Sequence, residues 1–71
     1  MENLVLFFRN KSEYERAKDF FENVSDFYAH EMNDEFKSLT FAEDGDLDTL
    51  ETCITQELED NGFVGYWFGC E

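Results

Sequence analysis

The stretch Glu43–Asp60, EDGDLDTLETCITQELED, constrains the chain most. Leu47, Leu50, Ile54 and Leu58 recur at spacings of three, four and four, which puts them on one face of a helix. Gly45 breaks the chain before this run. Asn61-Gly62 ends it, because Gly accepts the left-handed conformation that closes a helix. Asp46, and Asp48 with Glu51 in a capping box, compete as the N-terminal cap. An apolar stripe on one side of a helix must be covered by another layer of structure. The chain has 71 residues in which to build that layer, which is enough for one domain, residues 1–71, near the lower size limit for folding alone. Nine Phe, three Tyr and one Trp supply a dense core, since aromatics bury more area than other side chains.

The covering layer reads as a sheet. Leu4–Phe8, LVLFF, is an unbroken apolar run of strand length, suited to a central position, and Arg9, Asn10 and Lys11 end it. Asn10 with Glu13, or Ser12 with Glu15, opens a helix. Its inner stripe is Tyr14, Ala17, Phe21 and Val24, widened by Phe20, and Arg16 and Lys18 can pair with acids a turn away. Residues 26–32, DFYAHEM, alternate as an edge strand does. Asn33, Asp34 and Glu35 form a turn, and Phe36–Phe41 returns with Leu39 and Phe41 inward and Thr40 outward. Phe63–Phe68 is the last strand, with Gly65 and Gly69 allowing a bulge or a close backbone approach. The order strand, helix, strand, strand, helix, strand predicts an α+β, ferredoxin-like βαββαβ fold, with two helices on one face of a four-stranded antiparallel sheet. The other sheet face is left open, with Phe7, Phe27, Tyr28, Tyr66 and Trp67 as candidates to line it.

The charge restricts function. The formal net charge is −13, and all five basic residues lie at or before Lys37, so residues 1–37 carry −4 and residues 38–71 carry −9. Such a field repels nucleic acid and anionic membranes and favours a basic partner. No run approaches a membrane span, and no basic region followed by a long apolar run opens the chain. The expectation is therefore a cytoplasmic protein without a signal peptide. A buried thiol is expected at Cys53, beside the helix stripe, and a bridge between Cys53 and Cys70 is left open. Asp44, Asp46 and Asp48 start like a calcium loop, but Thr49 and Thr55 stand where that loop needs Gly and Glu, so capping and solvation explain the cluster. One His and two distant Cys do not make a zinc site. His30 has no nucleophile at a recognisable spacing and there is no phosphate-binding Gly loop, so neither an enzyme nor a cofactor is expected.

What remains is the acids as a binding surface. Carboxylates one helical turn apart stand about 5–6 Å from one another, a spacing on the scale of backbone phosphates. One candidate strip is Asp44, Asp46, Asp48, Glu51 and Glu59; a second, at the hairpin, is Glu31, Asp34 and Glu35. In size, aromatic content and acidity the chain resembles the small phage-encoded inhibitors that mimic DNA, including anti-CRISPR and anti-restriction proteins. That resemblance implies a non-enzymatic protein, working in the host cytoplasm, that blocks a basic nucleic-acid-binding protein or defence complex. The acidic helix followed by GFVGYW is also similar to the end of the ribonuclease E regulator family, although Tyr66 separates Gly65 from Trp67 here. That likeness implies the alternative, a regulatory or dimerisation module binding through an aromatic sheet face, with the acids serving solubility.

Overall fold

The computed structural model of the protein describes residues 2–25, 27–43 and 46–70. Its elements are β1 (Glu2–Phe8), α1 (Lys11–Asn23), β2 (Glu31–Asn33), β3 (Ser38–Glu43), α2 (Leu47–Asp60) and β4 (Tyr66–Cys70). The strands form one antiparallel sheet in the order β2-β3-β1-β4, the ferredoxin-like arrangement. The apolar run Leu4–Phe8 lies in a central strand, hydrogen-bonded on both sides to β3 and β4. Among the described residues no helix is long and apolar enough to cross a membrane.

Side-chain alternation sends Leu4, Leu6 and Phe8 of β1, with Leu39 and Phe41 of β3, to the face that both helices cover. Tyr14, Ala17, Phe20 and Phe21 of α1 and Leu50, Ile54 and Leu58 of α2 complete this core, with Phe63 from the connection to β4. Aromatic edges pack against faces within it, as in the Phe21–Phe41 pair, whose centroids are 5.1 Å apart at 70°.

The helix ends follow local chemistry. The Asn10 side chain accepts from the backbone N–H of Glu13 at 3.1 Å and so starts α1, while the Glu13 carboxylate pairs with Arg16 at 3.1 Å. Of the two candidate caps of α2, Asp46 takes the position, accepting from the backbone N–H of Asp48 at 3.0 Å and from the Thr49 hydroxyl at 2.9 Å. At its other end, Gly62 takes φ +76°, and two bonds close the helix: Gly62 N–H to the Glu59 carbonyl, 3.2 Å, and Phe63 N–H to the Leu58 carbonyl, 2.9 Å. This is a Schellman closure, and its apolar partners Leu58 and Phe63 are both buried.

Several local expectations are corrected. The alternating stretch 26–32 is not a strand along its length: only Glu31–Asn33 pairs with β3. The apolar residues before it anchor an extended connection, with Ala29 buried and Phe27 packed against the core. The hairpin turn consequently starts one residue later and ends two later, spanning Asp34–Lys37, and β3 begins at Ser38 rather than Phe36. The last strand begins at Tyr66 rather than Phe63, since Phe63 is taken up by the closure of α2. Val24, assigned to the α1 stripe, is the C-cap and is exposed. Cys53 is exposed, not buried, because it lies about 100° round the helix from Ile54. The break at Gly45 and the side chain of Cys70 lie outside what is described.

Candidate functional site

Helical periodicity decides which acids of α2 act together. With Leu50, Ile54 and Leu58 turned to the sheet, Asp48, Glu51 and Glu59 fall within about 80° of one another on the wheel. All three are exposed, and none of their carboxylates makes a hydrogen bond or ion pair among the described residues. The other acids of this helix are occupied. Asp46 caps it, and the bonds from Thr49 and from the Asp48 backbone hold its carboxyl below the usual range. Glu57 accepts from the Ser25 hydroxyl, and Asp60 from the Gln56 amide at 3.0 Å. Glu59 also acts on β4: the Tyr66 hydroxyl titrates above its ordinary value, first through burial and then through the charge of Glu59. Asp44, the remaining member of the predicted strip, lies outside the described residues.

The hairpin acids divide differently. Asp34 accepts from the buried Tyr14 at 2.6 Å and from Lys18 at 3.1 Å, so it ties the hairpin to α1. Those two contacts, the Tyr14 bond being the larger, hold the Asp34 carboxyl below the usual range. Burial of the ring and the adjacent Asp34 push the Tyr14 hydroxyl well above its ordinary value. Glu31 and Glu35 remain exposed. Among the described residues the two ion pairs are Arg16–Glu13 and Lys18–Asp34, and neither reaches α2. The predicted acids thus stand in two places: Asp48, Glu51 and Glu59 on the helix, Glu31 and Glu35 at the edge of the sheet.

The open sheet face holds the second feature. Partners in an antiparallel register share a face. One row across the sheet is therefore Glu31, Thr40, Val5 and Gly69, and the next is Asn33, Ser38, Phe7 and Trp67. The first row is short in its middle and has no side chain at Gly69. The second ends in a stacked pair, Phe7 on Trp67, with centroids 5.6 Å apart and planes at 12°. Phe36, on the hairpin turn, lines the same groove as Phe7. Its backbone N–H donates to the Asn33 side chain at 3.0 Å, which fixes the turn around it. Val5, Phe7, Glu31, Asn33, Phe36, Ser38 and Gly69 line a groove of about 350 Å³, and Trp67 joins it only through its stack on Phe7.

Of the aromatics expected on the open face, Phe7 and Trp67 are there. Tyr66 is not, because the strand phase turns it to the helices, where it packs against Phe8 and Phe68. Phe27 packs on the core, and Tyr28 is exposed in the α1–β2 connection. Phe36 was missed because a strand assignment gave it an alternating position, whereas it belongs to the turn. Its signal was the Asn-Asp-Glu sequence just before it, which permits a four-residue loop.

No family model matches the chain, and neither a curated protein nor a solved structure matches it.

Proposed function

We propose that the protein is a non-enzymatic, protein-binding inhibitor whose carboxylates occupy the nucleic-acid-binding surface of a basic partner, in the manner of a DNA mimic. The observation that supports this reading is the strip Asp48, Glu51 and Glu59: exposed, along one flank of a helix docked through its apolar stripe, and unpaired with any described cation. A docked helix holds these charges at a fixed spacing, so they meet Arg and Lys without first paying the ordering cost of a flexible acidic tail. The field of the whole chain, at −13, adds steering during encounter. Solubility alone asks for no particular arrangement of acids. Mimicry needs them rigid and uncompensated.

The test is affinity capture with the tagged protein, elution along a salt gradient and identification of what is released. A nucleic-acid-handling protein that elutes at moderate salt, is no longer captured by the double variant Glu51→Lys/Glu59→Lys, and is displaced by its own nucleic acid is the expected result. Capture unchanged by that charge reversal, or held through high salt, rejects the strip as the binding surface. Exposed charges are screened over about 8 Å at physiological ionic strength, so an acid-driven complex must respond to salt.

A further inference from the structure

We infer that the groove on the open sheet face receives an arginine side chain presented by the partner, a deeper reading that rests on that partner being basic. The groove exists because of one register. Val5 and Ser38 are small side chains in its lining, and at Gly69 a Cβ would meet Phe7 Cε2 at 3.2 Å, so any larger residue there would press on the Phe7 ring. Its lining holds two aromatic rings, Phe36 and Phe7, the latter stacked on Trp67.

Among the described residues, Glu31 is the one charged group in the lining, and no cation of the chain occupies the groove. Phe36 and Trp67 are 63% and 51% exposed, a large aromatic surface for so small a chain to leave in water. Aromatic faces with a carboxylate beside them attract a cation. The quadrupole of each ring presents its negative face, and Glu31 adds a full charge. The protein makes this contact internally, where the Arg16 guanidinium lies 4.2 Å over the ring of Phe63 and pairs with Glu13.

Size and shape narrow the occupant further. A volume of about 350 Å³ is at the small end for a ligand site and leaves room for one long side chain. Arginine fits better than lysine. Its planar guanidinium stacks on a ring, its fork of donors can bond Glu31 and the Ser38 hydroxyl together, and it sheds water more readily than an ammonium. Its aliphatic stem would cover Val5. An anionic or purely apolar occupant would leave Glu31 repelled or unpaired. A second copy of the chain would bring another −13 to the interface.

The experiment is an NMR titration of the isotope-labelled full chain with the blocked tripeptide acetyl-Gly-Arg-Gly-amide, with the lysine and the neutral citrulline tripeptides as controls. Shifts at the Trp67 indole N–H and at the Phe36 and Gly69 amides are expected, strongest for arginine and weakest for citrulline. Phe36→Ala should weaken this binding about two- to fivefold through the lost cation–π face. Glu31→Gln should weaken it by a similar factor, about two- to fivefold, through the lost charge. Both positions are exposed, so folding is retained, and unchanged amide spectra away from the groove verify it. Shifts confined to α2, equal for arginine and lysine and indifferent to Phe36→Ala, would reject the groove while leaving the acidic helix as the binding surface. Silence at the groove also rejects it. Groove binding alongside partner capture that ignores the Glu51→Lys/Glu59→Lys reversal would retain the groove and reject the helix strip.

Discussion

Leu58→Ala is the substitution that tests the framework beneath both surfaces. Leu58 is fully buried. It sits in the last turn of α2, its carbonyl accepts the bond that closes the helix, and its side chain meets Phe63, the residue that this closure delivers to the core. Removing its three outer carbons leaves a cavity walled by residues that cannot collapse freely, which costs about 2–5 kcal/mol. A domain of 71 residues has a total stability of about 4–11 kcal/mol at ordinary values per residue. One substitution thus removes a large share of it. Urea denaturation followed by Trp67 fluorescence and far-ultraviolet circular dichroism reads the change. With a slope of about 1 kcal/mol per molar urea, the midpoint should fall by about 2 M or more, with the slope unchanged. Gln56→Ala is the control, because Gln56 is exposed on the opposite side of the same helix, and it should stay within about 0.5 kcal/mol of the parent. A Leu58→Ala loss below about 1 kcal/mol, or a Gln56→Ala loss equal to it, would mean that α2 does not dock through this face. Asp48, Glu51 and Glu59 would then not form an outward strip.

Two further outcomes follow from local geometry. Asp34 titrates below its ordinary value, chiefly because Tyr14 and then Lys18 bond its ionised form, so the stability it contributes is complete above the unfolded value of about 3.9 and is lost as pH falls through the lower folded value. The stability difference between the parent and Asp34→Asn should therefore narrow as pH drops from about 6 to about 2.5; a gap that stays constant or widens contradicts the Tyr14–Asp34–Lys18 contact. Lys37 takes φ +54° at the end of the hairpin turn, a conformation costing an L-residue about 1–2 kcal/mol. Lys37→Gly relieves that cost and returns part of it through the freer unfolded chain, for a net gain of about 0.5–1 kcal/mol by the same denaturation assay, and no gain would refute strain at this position.

The legible parts of the fold were those written in short-range pattern. The spacing of Leu47, Leu50, Ile54 and Leu58, the Asn10 cap and the Asn61-Gly62 stop act within a few residues, and each appears in the structure. The unbroken apolar run Leu4–Phe8 suited a central strand, and β1 is one, paired along both edges. The misread parts are those where two neighbouring patterns compete. DFYAHEM alternates like a strand, yet Phe27 and Ala29 are turned inward by the core rather than by pairing, and β2 is left with three residues.

The sequence by itself determined the element order, the α+β ferredoxin-like class and the segregation of charge, because periodicity, caps and composition are local properties of the chain. Tertiary structure alone decided which acids remain free and which aromatics share a face. Asp34 looks like its neighbour Glu35 until folding brings Tyr14 and Lys18 to it across the chain. Phe7, Gly69, Phe36 and Glu31 come from three strands and a turn, and only the register of the four paired strands sets them around one groove. A shift of that register by one residue would turn each strand's side chains to the other face, which is why the groove could not be read before the pairing was known.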